Sequence, residues 1–473
     1  MTSPPGKALS RNLEEEHVLE PARPAQDVDV VIVGAGAAGL AAAQHLTRAG
    51  LTATVLEATR HVGGRMSTEK VDGFRLDRAG RLLSTAYPEL RRTPGLDSLT
   101  LRPFSPGVLL HSGGRHHRAS TPLAPRSARG ALNAARALAS APRLPRPRLQ
   151  ADASRSGVPG DPFDQTRLAT ALARLADTPP ARLLARPDLP AGQSSAALGL
   201  PPRTVEGFLR PLLAALLCDP DLRTSSRCAD LALHSFVTGR LCLPEGGADA
   251  LPELLAASLP PGTVRTGVRV DAVSTTRVTT REHGELGCRA VLLATGARAA
   301  AELLPGLHVP AFHPVTVVHH TTDEPPLTEP ALLLDADRSG PVAHTAVISE
   351  VDATRAPAGR ALVSSTVLGT PPAPGRLDAA VRAQLARLYG TSTARWELLA
   401  VHHDPEAVPA MPPPHDLHRP VRLLAGLYVC GDHRDTSTVQ GALHSARRAA
   451  HAVLMDLGAR PALREESREA EAA

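Results

Sequence analysis

The sequence predicts an α/β fold built on a doubly wound parallel sheet, and three observations carry that expectation. Val30-Val31-Ile32-Val33 is a short apolar run without polar alternation, the pattern of a strand buried on both faces. It passes without a break into Gly34-Ala35-Gly36-Ala37-Ala38-Gly39, and a helix follows from about Ala38 to Ala49. Gly50 stops that helix, and Ala53-Thr54-Val55-Leu56 makes a second strand that finishes on Glu57, completing a β-α-β unit.

Within this unit Gly34, Gly36 and Gly39 divide three duties: a tight turn, close approach of backbone to a pyrophosphate, and close packing of helix on strand. The helix start at Ala37 and Ala38 offers free N–H groups to phosphates. Glu57 ends the next strand where a carboxylate accepts hydrogen bonds from a ribose, which sets it apart from an ordinary exposed acid. The unit is therefore expected to bind a dinucleotide.

The chain has 473 residues, beyond the size at which one core stops growing, so two domains or one elaborated domain are expected. Its net charge of +5 comes from arginine almost alone, since Lys7 and Lys70 are the only lysines. Together with abundant Ala, Pro and Gly, that bias is what G+C-rich codons produce, so no nucleic-acid partner is expected. Five cysteines, with no C-x-x-C and no Cys/His pairing at ligand spacing, point to reduced core residues of a cytoplasmic protein. Residues 1–26 lack an apolar h-region and are expected to be a disordered leader, and no stretch has the length of apolar sequence that a membrane span needs. Between Arg126 and Arg148 arginines alternate with small residues and prolines. A solvated helix followed by a linker is the default reading of it, and a helix that faces an anionic membrane or a substrate channel is the alternative.

Two later blocks return to α/β material: Val264 to Val273 with Ala290 to Ala294, and Gly426 to Cys430 with the helix after it. The nucleotide domain is thus expected to be discontinuous, over 27–105, 241–304 and 419–458, with an inserted mixed α+β substrate domain over 106–240 and 305–418. Residues 459–473 form a charged tail without core residues.

What separates FAD from NAD is the next segment, Gly63-Gly64-Arg65 and then Gly73-Phe74-Arg75-Leu76-Asp77, which a simple NAD domain does not need. With Leu56-Glu57-Ala58 before it and Gly431-Asp432 and Gln440-Gly441-Ala442 near the other end, the chain resembles the amine oxidase and phytoene desaturase superfamily of FAD-dependent oxidoreductases. The resemblance implies a Rossmann-like FAD-binding domain. It places Gly34, Gly36, Ala37, Ala38, Gly39, Glu57, Ala58, Gly63, Gly64, Arg65, Arg81, Leu82, Val268, Gly431, Asp432, Val439, Gln440 and Ala442 at the cofactor. Asp432 would contact the ribityl-phosphate part, Arg81 and Leu82 lie in a turn beside the flavin, and the strand holding Val268 lays backbone against the adenine.

The chain also departs from the family. Relatives carry a Gly-led turn after the position of Asp77, whereas this chain has Arg78-Ala79-Gly80, with the glycine displaced by one. No lysine matches the one that amine oxidases often place near flavin N5, and Thr438 stands where a substrate-cage aromatic would. With one Trp, three Tyr and six Phe there is little aromatic surface for such a cage. The expected activity is hydride transfer from a substrate C–H bond to flavin N5, in dehydrogenation or desaturation of an apolar small molecule, with an unidentified electron acceptor. The alternatives are a flavin amine oxidase and a non-redox isomerase or structural flavoprotein. No catalytic residue is assigned, although His433 beside Asp432 is a candidate acid or base. The pairs His116-His117, His319-His320 and His402-His403 point to opposite faces of strands and chelate poorly, so no metal is expected.

Overall fold

The computed structural model describes residues 28–119, 162–194 and 199–459. The leader, the Arg126–Arg148 stretch and residues 460–473 lie outside the described residues. Strand β1 (Val28–Val33), helix α1 (Ala37–Arg48) and strand β2 (Ala53–Glu57) form the first β-α-β unit. Three more parallel strands join them: β3 (Val264–Thr266), β4 (Gly284–Leu293) and β5 (Leu427–Val429), followed by helix α2 (Val439–Asp456).

The parallel order is β3-β2-β1-β4-β5, with Ile32 in register with both Val55 and Leu292, and Leu292 with Tyr428. An antiparallel hairpin, Val270–Val273 and Arg277–Thr280, extends β4 on the far side, and Arg422–Leu424 pairs with β5, making eight strands in all. Both faces of β1 are covered, which is why its sequence lacks alternation. Val30 and Ile32 face α1 and α2, while Val31 and Val33 meet Leu56, Val291, Leu293 and Val429 on the other side. Strand order reverses between β1 and β4, and ligands of such sheets bind outside the carboxyl ends at that point.

A second, seven-stranded sheet runs in the order Glu397–Pro409, Phe312–Thr322, Ala361–Leu368, Val342–Val347, Leu333–Asp335, Val108–Ser112 and Arg115–Ala119. All its pairings are antiparallel except that of Leu333–Asp335 with Val108–Ser112. Helix Pro374–Tyr389 packs Leu377, Val381, Leu385 and Leu388 on one face, against Val318, Val363 and Val367. Helices Arg210–Leu217 and Ser226–Thr238 build a further cluster with Phe104, Leu332 and Leu334.

Arg355, 1% exposed, joins segments distant in sequence. Its guanidinium donates to Asp77 Oδ2 (2.6 Å), to Asp352 Oδ2 (3.2 Å) and to the carbonyl of Pro244 (2.8 Å). Asp77 Oδ1 in turn accepts from Thr68 and from the amide of Ala248, and Asp352 accepts from the amide of Gly246. The blocks ending in Asp77 and spanning Leu243–Gly247 are thus tied together through one buried cation. Burial pushes the Asp352 carboxyl up, but hydrogen bonds from Gly246 and Thr354 and the charge of Arg355 outweigh it and hold it below the usual range.

Among the described residues no helix is long and apolar enough to cross a membrane. All five cysteines are buried, and none is joined in a disulfide.

Candidate active site

An open cleft of about 520 Å³ lies at the carboxyl ends of β1 and β4, and a second space of about 380 Å³ continues it toward Val268. The two share Gly34, Glu57, Thr295, Ala299 and Glu302, so together they form one elongated groove.

The Gly-rich turn makes one wall. Gly34 has φ +106°, and a Cβ there would meet the backbone of Ala294 at 3.0 Å. At Gly36 a Cβ would meet nothing within 4 Å and would project into the groove. Gly36 also caps α1 without any side-chain bond, no acid sits in the first turn, and the first amides of a helix have no intrahelical acceptor. Ala37 and Ala38 line the groove at this place, as do Gly63, Gly64 and Arg65. Gly39 does not: its added Cβ would lie 2.0 Å from the carbonyl oxygen of Gly34, so its duty is packing of helix on strand.

Glu57 stands at the junction of the two spaces. Its Oε2 accepts from the amide of Ala35 (2.9 Å) and its Oε1 from the amide and hydroxyl of Thr59 (2.9 and 2.8 Å). Ala58 and Val268 line the second space. Val268 corrects the expectation that a strand holds it. It lies in the connection between β3 and Val270–Val273, and its amide donates to the carbonyl of Glu57 (2.9 Å), which leaves only its carbonyl for an adenine.

At the other end Gly431 (φ +138°) and Asp432 follow β5. Asp432 Oδ1 accepts from Arg65 Nη2 at 2.6 Å, and Arg65 Nη1 donates to the carbonyl of Ala407. Burial pushes the Asp432 carboxyl up, yet the Arg65 charge and hydrogen bond hold it below the ordinary carboxylate range. Val439 and Ala442 of α2 line the same end. Thr438 caps α2, its hydroxyl accepting from the amide of Gly441 (3.1 Å), so the residue at the cage position serves the helix.

Two of the expected residues do not line the groove. Gln440 turns away from the groove, and its Oε1 accepts from the amide of Glu89 at 3.0 Å, because adjacent residues of a helix start face about 100° apart. Leu82 points to the far side of the turn Arg78–Leu82, into a small cavity of about 40 Å³, while Arg81 between it and Gly80 faces the groove. Arg81 reaches the carbonyl of Ser437 and, at 3.6 Å, Cys218 Sγ. Gly80 has φ +56°, and a Cβ there would press on Val317 at 3.0 Å and Thr366 at 3.2 Å. The displaced glycine is therefore required where it stands.

The inner cavity is bounded by the turn, by Phe104 and Leu243, and by one face of the second sheet: Val317, His319, His344, Ala346, Ser364 and Thr366. His319 is saturated, with Nε2 on the carbonyl of Asp77 (3.1 Å) and Nδ1 on Ser364 Oγ (2.8 Å). His433 is buried beneath Gly431, does not line the groove, and is pushed down to about 4 by burial.

The sequence reading passed over Thr295, Gly296 and Arg298, which line the wall opposite the Gly-rich turn, and Asp404 and Glu406 on the long strand Glu397–Pro409. The first three had a signal: strand β4 runs into Gly296, which caps the helix Ala297–Leu303, a second strand-glycine-helix unit. The carboxylates had none, since pairing between distant strands brings them there. His111, Asp335 and Asp337, which no spacing in the sequence links, also bring potential ligand atoms within 4.8 Å of one another. Asp335 Oδ2 already accepts from Ser339 and Gln384, and Asp337 from Ser112 and Gly113, and none of the three lines the groove.

The groove fits an extended dinucleotide with a diphosphate. Two helix starts and the guanidinium groups of Arg65 and Arg81 supply donors to an anion, Gly36 leaves the room, and Glu57 supplies acceptors at one end.

A profile of the family described as flavin-containing amine oxidoreductase matches residues 37–454. Putrescine oxidase of Kocuria rosea is 52% identical over 62 residues, which are 13% of this chain and 13% of that protein. Pseudooxynicotine dehydrogenase of a Pseudomonas species is 35% identical over 83 residues, 18% of this chain and 16% of that one. The matched stretches are thus a small part of either protein. Among solved structures, a putative protoporphyrinogen oxidase from Exiguobacterium sp. 255-15 superposes with a TM-score of 0.63 at 20% identity, over 92% of this chain and 100% of that one. A putrescine oxidase bound to putrescine gives 0.62 at 18%, over 91% and 100%. At these identities the likeness is one of fold.

Proposed function

The chain belongs to the flavin-containing amine oxidoreductases and takes FAD as its cofactor, and from that premise we propose that it dehydrogenates an uncharged, largely apolar substrate. When bound, FAD supplies the two-electron chemistry by accepting a hydride from a substrate C–H bond at N5, and a separate electron acceptor restores it. The chain's own residues bind and orient. The first turn of α1 and Arg65 hold the diphosphate, Glu57 holds a ribose, and Asp432, fixed by Arg65, faces the ribityl end. The turn Arg78–Leu82 lies between the groove and the inner cavity, with Arg81 lining the first and Gly80 and Leu82 the second.

One observation carries the substrate class. The inner cavity's only carboxylate, Asp77, is already engaged by Arg355, and its only phenyl ring is Phe104, so nothing there waits for an ammonium group. Leu82, Leu243, Val317, Leu332, Ala346 and Ile348 make one part of its wall apolar. The polar part is Arg355, held by Asp77, Asp352 and the carbonyl of Pro244, Arg75, which donates to the carbonyl of Gly246, and His319, His344, Ser364 and Thr366. The names of the partial relatives favour amine oxidation as a second reading. Anaerobic mixing of FAD-loaded protein with polyenes and alkenes on one side, and primary and secondary amines on the other, tests both. Bleaching of the flavin by an alkene supports the first reading, and rapid bleaching by amines alone overturns it.

A further inference from the structure

His344 stands on the strand Val342–Val347, in register with Thr366 on one side and Leu334 on the other, and its imidazole lines the inner cavity. It is 5% exposed, and its Nδ1 is buried without a hydrogen-bond partner. A buried polar group with no partner is costly, and native structures rarely leave one without a ligand or water to receive it. The neighbouring His319 makes the contrast: both of its nitrogens are bonded. The cavity, about 40 Å³, exceeds the roughly 10–15 Å³ that one water requires, and so admits one small functional group beside that imidazole.

We propose that His344 is a specificity-determining residue that hydrogen-bonds an uncharged polar group, a hydroxyl by preference, at the end of an otherwise apolar substrate. The inference rests on the apolar-substrate reading above and narrows it. A neutral imidazole offers one donor and one acceptor, which is the complement of a hydroxyl. Burial alone pushes the ring down to about 4, so it stays neutral at physiological pH. A cationic group is disfavoured because Asp77 is spent on Arg355 and a second guanidinium, Arg75, also lines the cavity. Both guanidiniums already donate within the protein, Arg355 to Asp77, Asp352 and the carbonyl of Pro244 and Arg75 to the carbonyl of Gly246, and a wholly apolar end would leave His344 unanswered.

The probes are geraniol, 2,6-dimethylocta-2,6-diene, which is the hydrocarbon of the same skeleton, and geranylamine. Each is titrated calorimetrically into FAD-loaded wild type, His344→Leu and His344→Gln. Geraniol is expected to bind wild type roughly tenfold more tightly than the hydrocarbon, the worth of one hydrogen bond. His344→Leu should erase that preference with unchanged FAD content and unchanged hydrocarbon affinity, and His344→Gln, which keeps a donor and an acceptor, should retain it. Equal binding of alcohol and hydrocarbon by wild type, tighter binding of the amine, or a preference that survives in His344→Leu overturns the proposal. If no probe binds, crystals of the holoprotein soaked in 1-propanol decide: alcohol density on His344 that is lost in His344→Leu upholds it, and water alone overturns it. Anaerobic bleaching is recorded in the same samples. His344-dependent alcohol binding without bleaching refutes the redox reading and leaves His344's role intact, whereas bleaching by alkenes without dependence on His344 does the reverse.

Discussion

Glu57 holds the Gly-rich turn and faces the groove with one carboxylate, accepting from Ala35 and Thr59 on the protein side. Glu57→Gln keeps the shape but turns an NH₂ group toward an amide that also donates. It is expected to weaken FAD binding roughly tenfold or more, since hydrogen bonds to charged groups are worth about 1.5–3 kcal/mol. Fluorescence titration of apoprotein with FAD measures this, and an unchanged dissociation constant would refute it. Glu57 was legible in the sequence because its place follows from local structure alone: the last residue of the second strand. Leu82 and Gln440 were not, because the side on which a residue emerges depends on the turn and helix phase that tertiary packing selects. Asp404 and Glu406 were beyond reach for a different reason, since only the pairing of Glu397–Pro409 with Phe312–Thr322 brings them to the groove.

At the scale of elements, the glycines of one motif separate into contact and packing roles. Gly36→Ala puts a methyl into open groove, so the fold should stand while FAD affinity falls. Gly39→Ala puts a methyl 2.0 Å from the Gly34 carbonyl oxygen, so α1 must move off β1. A loss of about 1–3 kcal/mol, with FAD retention lost as well, is expected from such overpacking. Thermal melts with FAD quantified in the purified proteins distinguish the two, and equal melting temperatures would contradict the assignment. The first β-α-β unit could be read residue by residue because its motif is contiguous. The adenine end could not: Val268 fell in a connection whose amide the carbonyl of Glu57 already occupies, a contact between segments more than two hundred residues apart.

Across the whole molecule, Arg355 is a buried cation between the antiparallel hairpin of Thr68–Val71 and Phe74–Asp77, the Leu243–Gly247 segment and the second sheet's own connections. Arg355→Met leaves the buried Asp352 and the partly buried Asp77 without their cation and is expected to cost about 3–5 kcal/mol in urea unfolding, with part recovered by adding Asp352→Asn. A loss below 1 kcal/mol would mean the pair is not buried in solution. Acid sensitivity is also a global property. Burial pushes His45, His319, His344 and His433 down to about 4, below the value of 6.5 that the unfolded chain retains. The unfolded state then binds more protons, so this contribution to stability is complete above pH 6.5 and is lost as pH falls from 6.5 toward 4, by up to about 1.4 kcal/mol per unit per group. Melting temperatures that stay level from pH 7 to pH 4.5 would contradict it. The sheet order has a last consequence, for synthesis. Strand β5 and helix α2, which form one end of the groove, are translated after the first β-α-β unit and the opposite wall at Thr295–Arg298, so a nascent chain lacks that end of the site until Val439 has left the ribosome. Cofactor capture is thereby expected only after this segment has been made, and a chain stopped at residue 420 should emerge colourless however well its first β-α-β unit has folded.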